Sequence, residues 1–129
     1  MTTTDNTPTT DPITDEITRT VDLHLAGYCE PDAVKRAELV AAAWSADGTL
    51  MDPPFEGTGH AAIAALADAV LQHFPAHTFR RTTAVDHHHG VGRYGWELVS
   101  AAGEVSVGGI DIVDIAADGK LQRVVGFFG

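Results

Sequence analysis

Residues 105 to 128 read VSVGGIDIVDIAADGKLQRVVGFF, and the reading of this stretch decides the architecture. Val105, Val107, Gly109, Asp111, Val113 and Ile115 alternate onto one face, the period of a half-buried strand. Asp118-Gly119 supplies a turn, and residues 120 to 128 follow as a second strand, which makes the segment a hairpin. Asp111 is the exception on its face. Asp is depleted in strand interiors, and a carboxylate on an apolar face must be paired, protonated or turned into a cavity. Asp114 falls on the opposite face near the turn, where solvent can reach it. Gly108 and Gly109 remove two side chains just before Asp111, and glycine inside a strand marks a bulge or a close approach.

The period of two continues upstream, through segments at roughly 77 to 89, 91 to 101 and 104 to 115, with turns at Gly90 and Ala102-Gly103. Before residue 77 the period is helical. Ile17, Val21, Leu25 and Tyr28 recur at four- and three-residue steps, with His24 on the same stripe. Glu30-Pro31 restarts a helix whose face carries Ala33, Ala37, Val40, Ala41 and Trp44, and Ser45 to Gly48 reads as the turn that stops it. Thr49 to Asp52 is a short strand, PPFEGTG a loop, and His60 to Phe74 a third helix ended by Pro75. Three helices followed by an antiparallel meander predict an α+β domain whose curved sheet wraps around a helix. Residues 1 to 12 are expected to be a disordered tail, since the first ten contain six threonines, and residues 13 to 129 one domain. Order is expected to begin near Asp11-Pro12, as N-cap and first helical position.

With 129 residues, 44% of them hydrophobic, the chain holds one core and room for a cavity in it. Asp and Glu number 18 against 8 Lys and Arg, a net charge of −10 that repels phosphate backbones and anionic headgroups. Neither nucleic acid nor a membrane is expected as partner. Cys29 is the only cysteine, so it forms no intramolecular disulfide, and it is read as structural. The start lacks a charged-then-apolar leader and no apolar run approaches the ~20 residues a bilayer requires, so a cytoplasmic location is expected.

A second carboxylate stands out in LMDPPFEG, residues 50 to 57. The residue before a proline is pushed into extended geometry, which fixes Asp52 at a strand end beside Leu50, Met51 and Phe55. Spacing alone leaves two readings, a turn-forming strand end and a carboxylate held for chemistry. Two fixed carboxylates in apolar surroundings suit proton transfer at carbon, because desolvation raises a carboxyl pKa toward working pH.

Three motifs, WSADGTLMDP (44 to 53), GHAAIAAL (59 to 66) and GIDIVDIAADGKLQRVVGFF (109 to 128), in this order resemble the nuclear-transport-factor-2-like superfamily. The similarity is to its SnoaL-like polyketide-cyclase and ketosteroid-isomerase branches. It implies a cone-shaped α+β barrel, three helices packed on a curved, mostly antiparallel sheet, and a homodimer formed through the outer sheet face. It also implies that Asp52 is the general base and Asp111, nine residues before Lys120, the protonated hydrogen-bond donor. That pKa logic belongs to the ketosteroid isomerases, a worked case for paired carboxyls. The oxyanion tyrosine of the isomerases aligns with Tyr28 by one anchor, and the other anchor lands on His24. The cyclases likewise use a late-strand aspartate, so the resemblance supports Asp111 under both branches and Asp52 mainly under one. It also brings Trp96 and the DHHHG histidines near a ligand. The limonene-epoxide hydrolases need an asparagine beside an Asp-Arg-Asp network, and the sole asparagine here is Asn6.

His88 is the histidine chosen to assist a carboxylate, since strand alternation sets it opposite His87 and His89. The same alternation splits the run as a metal site, and neither metal nor cofactor is expected. Of the neighbours Phe127 and Phe128 one faces the cavity, and Phe127 is chosen; Phe55 and Met51 are the remaining apolar candidates for ligand contact. The sequence thus predicts an acid/base isomerase or cyclase for a hydrophobic, carbonyl-bearing small molecule, or else a non-catalytic ligand-binding or assembly module of the same fold.

Overall fold

The structure, a computed structural model, describes residues 11 to 129. The expected tail lies outside them except for its last two residues, which begin the fold: Asp11 caps helix α1 (Pro12–Gly27), accepting a hydrogen bond from the Thr14 amide at 2.7 Å. Helix α1 buries Ile17, Val21 and Leu25, the predicted stripe. Helix α2 (Ala33–Ala43) is capped by Asp32, whose carboxylate accepts from the Val34 and Lys35 amides. After strands β1 (Trp44–Asp52) and β2 (Phe55–Thr58) comes helix α3 (His60–His73). Five further strands complete the chain: β3 (Thr78–Arg81), β4 (Asp86–His88), β5 (Val91–Val99), β6 (Val105–Ile115) and β7 (Leu121–Phe128).

The strands form one sheet in the order β2-β1-β7-β6-β5-β3, and β4 also pairs with β5. Every pairing is antiparallel except β1 with β7, so the last strand is inserted between the first and the sixth. The helices pack on the sheet, as the α+β expectation required, around a core that includes Trp44, Leu50, Ile63, Tyr94 and Val113. Lys120 Nζ donates to the Ala41 carbonyl at 3.0 Å and ties the β6–β7 turn to the end of α2. No helix among the described residues is long and apolar enough to cross a membrane.

Three local readings change. Ser45 to Gly48 is not a turn but the first half of β1, which meets β7 through a register shift between Trp44 and Thr49. A Cβ at Gly48 would lie 2.5 Å from the Trp44 ring and 3.1 Å from the Leu121 carbonyl, so this glycine serves a close approach. The PPFEGTG loop contains β2, because Asp52 and Phe55 pair across a two-residue Pro53-Pro54 turn. Residues 77 to 89 form two short strands, the break between them being where the Gly95 amide donates to Thr83 Oγ1 at 2.9 Å.

Candidate active site

The register of three strands assembles the site. Asp111 on β6 lies opposite Tyr94 on β5 and opposite Gly126 on β7. Met51 pairs with Val125, which brings the next residue of β1, Asp52, alongside Gly126. A Cβ at Gly126 would lie 2.5 Å from Asp52 Oδ1 and 3.2 Å from Asp111 Oδ1. The carboxylates therefore fill the space that a side chain on β7 would need. Gly109 has the matching role one pair further along β6, where a Cβ would lie 2.7 Å from Trp96 Cζ2. The bare backbone there lets the indole lie across the strand and reach Asp111.

Trp96 Nε1 donates to Asp111 Oδ1 at 2.9 Å, and the Tyr94 hydroxyl donates to Oδ2 at 2.7 Å. Asp111 is 5% exposed. Burial pushes its carboxyl up to about 7, the charge of Asp52 pushes the same way, and the two donors oppose the shift by stabilising the anion. Asp52 rises to about 6 through burial. Its Oδ1 is inaccessible and has no hydrogen-bond partner among the described residues. Burial, then the charges of Asp52 and Asp111, hold the Tyr28 phenol well above its ordinary pKa, so Tyr28 stays a protonated donor close to both carboxylates.

Above Asp52 opens a 540 Å³ cavity with largely apolar walls, among them Phe55, Phe74, Phe79, Trp96 and Phe128. The aromatic rings are continuous, Tyr28 to Phe79 at 4.6 Å between centroids, Phe79 to Trp96 at 5.4 Å and Trp96 to Phe128 at 5.9 Å. His73, exposed in the last turn of α3, stands at the rim. A site of this kind holds a flat apolar ligand and offers it the Asp52 carboxyl at one end, with Asp111 beside it across Gly126.

The structure separates the two residues that the sequence left as alternatives. Tyr28 lies within electrostatic reach of both carboxylates, whereas His24 is occupied elsewhere: its Nδ1 accepts from Trp44 Nε1 at 3.2 Å. Burial pushes His24 down to about 3, so it is neutral, and with Nδ1 accepting, its proton sits on Nε2.

Besides His24, three expected site residues are turned away from the cavity. His88 is exposed on the outer side, its Nδ1 3.0 Å from that of His89; alternation turns His87 inward instead, and Thr14 Oγ1 meets its Nε2 at 2.7 Å. Phe127 is 58% exposed opposite Ile110, and its neighbour Phe128 takes the cavity wall. Met51 lies between Leu50 and Asp52, both of which face inward, so it points to the outer side of the sheet. Conversely, Tyr94, Phe79 and Gly126 escaped the sequence reading as site residues. Tyr94 had a legible signal, its alternation with Trp96, while Gly126 had none without the register. Among the described residues no three His, Cys, Asp or Glu side chains converge in a metal-holding group.

Neither family models nor curated proteins yield a match to this chain. Solved structures do. A proposed isomerase of the SnoaL-like family from Agrobacterium tumefaciens is 32% identical over 89% of this chain and 98% of its own, with a TM-score of 0.83. A proposed SnoaL-like polyketide cyclase from a Jannaschia species superposes at a TM-score of 0.73 with 13% identity, over 94% of this chain and 90% of its own. A protein with a ketosteroid-isomerase-like fold from Catenulispora acidiphila, in complex with trimethylamine, matches at 0.67 with 11% identity over 85% of each chain. The latter two share the fold alone.

Proposed function

The chain belongs to the SnoaL-like family, and from the half-buried Asp52 in the wall of its aromatic cavity and the buried Asp111 beside it we propose that it is a cofactor-independent acid/base enzyme. It acts as an isomerase or cyclase on a hydrophobic small molecule with a carbonyl group, steroid-like or polyketide-like in shape. The observation that carries this reading is the pair itself: Asp52 at about 6 and Asp111 at about 7 are poised near working pH on opposite sides of one bare backbone position.

In this reading the ligand lies against Phe55, Phe79 and Trp96 with its carbonyl toward Asp111 and Tyr28. Asp52, whose Oδ1 lacks a partner, takes a proton from the carbon next to the carbonyl. Asp111 and the Tyr28 phenol hydrogen-bond the oxygen on which charge develops, and the proton is returned at another carbon. Asp52 and His73 are the ionisable residues of the cavity wall, which favours a neutral ligand over a carboxylate one.

The deciding experiment screens enones and polyketide mimics for isomerisation or ring closure, with Asp52→Asn and Asp111→Asn as controls. Turnover that disappears in both variants supports the reading. Tight binding without turnover would make the chain a ligand-binding module, and turnover that persists in both would overturn the assignment. We also propose that two copies associate through the outer sheet face, where Ile110 and Phe127 are 50% and 58% exposed.

A further inference from the structure

Asp52 Oδ1 is a buried acceptor with no donor among the described residues, and leaving such an oxygen unpaired is unfavourable, more so when it is charged. The atoms nearest the empty side-chain position of Gly126 are the two carboxylates, and both Oδ1 atoms lie within 3.2 Å of that one point. Two ionised carboxyls in so small and dry a space repel strongly. A single proton between them removes the repulsion and supplies Asp52 Oδ1 with its missing donor.

We infer that Asp52 and Asp111 form a dyad that shares one proton across Gly126, with Gly126 as the positioning residue that lets the two carboxyls meet. The other groups facing the dyad leave its charge intact. Tyr94 and Trp96 donate from β5, Tyr28 at the end of α1 is held neutral within electrostatic reach of both carboxyls, Gly126 on β7 presents no side chain, and His73 of α3 stands at the cavity rim. Asp22, paired with Arg81, acts on Tyr94 by its charge.

The inference deepens the acid/base reading, on which its chemistry rests, although the shared proton exists without a ligand. When the C–H bond beside the carbonyl breaks, its proton goes to the ionised carboxyl, and the dyad's own proton goes to the carbonyl oxygen. The ligand becomes a neutral enol and the dyad again holds one proton, on the other oxygen, so no net charge is created in the cavity. The reverse transfer to another carbon restores the starting state. Base and acid are then states of the pair, not fixed attributes of Asp52 and Asp111.

The test is a carbon-13 titration of the aspartate carboxyls in the empty protein, assigned with Asp52→Asn and Asp111→Asn. A dyad gives two apparent pKa values set apart by at least about one unit, each seen at both residues. In Asp52→Asn the upper value falls, because the repelling charge is gone. In Gly126→Ala the added Cβ separates the carboxyls and the two values converge; should that variant fail to fold, the two Asn variants alone decide. An Asp111 titration that is the same with and without the Asp52 carboxyl would overturn the dyad. Coupled titration without turnover of any carbonyl ligand would leave the dyad standing and fail the catalytic reading, whereas turnover with independent titrations would do the reverse.

Discussion

Asp111 and Asp114 stand three residues apart on one strand and live in different solvents. Asp111 faces the helices, accepts from Tyr94 and Trp96, and has burial pushing its carboxyl up to about 7. Asp114 faces outward and meets Arg123 Nε at 2.8 Å, one of several carboxylate–arginine pairs on that side, with Asp86–Arg93 and Glu97–Arg80. The outer pairs are made of flexible side chains in water and hold little energy. The inner carboxyl has no ion-pair partner among the described residues and is held by neutral donors, so its proton affinity is what the fold adjusts. One strand thus separates a face that solubilises from a face that can react.

The largest expected break in that contrast is chemical. Asp52→Asn or Asp111→Asn should lower turnover by about 10²–10⁴-fold, the usual worth of a positioned acid or base, as read by the rate of enone isomerisation. Next come the neutral donors. Tyr94→Phe and Trp96→Phe each leave an Asp111 oxygen short of a partner, which should cost about 1–3 kcal/mol in denaturant unfolding and move the Asp111 titration further up, since each donor had favoured the anion.

Smaller and spread over pH is the linkage effect. Asp52 and Asp111 have folded values near 6 and 7 against about 4 unfolded, so the folded protein binds more protons in that window. Their stabilising contribution is full below pH ~4 and is lost as pH rises toward 7. His24, held down at about 3 against 6.5, works the other way: its contribution is full above pH ~6.5 and is lost as pH falls toward 3. Two carboxyls outweigh one histidine, so wild-type melting should fall modestly as pH rises from 5 to 6.5, whereas the Asp52→Asn, Asp111→Asn double variant should show melting that rises steadily with pH over that range. The smallest effects belong outside. Arg123→Ala should cost at most ~1 kcal/mol and leave turnover unchanged, and His88→Ala likewise should leave turnover unchanged, because neither side chain reaches the cavity.

Much of this was readable from residue order. Alternation exposed Asp111 as a polar intruder on an apolar face, and Pro53 marked Asp52 as a fixed strand end, because both signals are local. The helical stripe and the final hairpin were legible for the same reason. What failed depended on strand register. Phe127 and Phe128 cannot be told apart until the pairing of β6 with β7 is known, and a register shift at Asp114/Ile115 resets the count from the turn. Met51 is different, since its alternation with Leu50 and Asp52 already excluded it from their face. The meaning of Gly126 was invisible, because it resides in what β1 and β6 place beside it and not in its own neighbours.

The parallel pairing of β1 with β7 gives the chain a built-in recorder of its own assembly. Leu50 meets Val124 only when a long intervening segment has been brought to order, a non-local contact of the sort that forms slowly. Until β7 docks, Asp52 has neither Gly126 nor Asp111 beside it and remains a hydrated carboxylate. Docking raises its proton affinity, so refolding started at pH 6 should draw protons from solution in the same kinetic phase that inserts β7. A pH-indicator dye in dilute buffer would register that uptake, and its time course would date the closure of the cavity without any ligand at all.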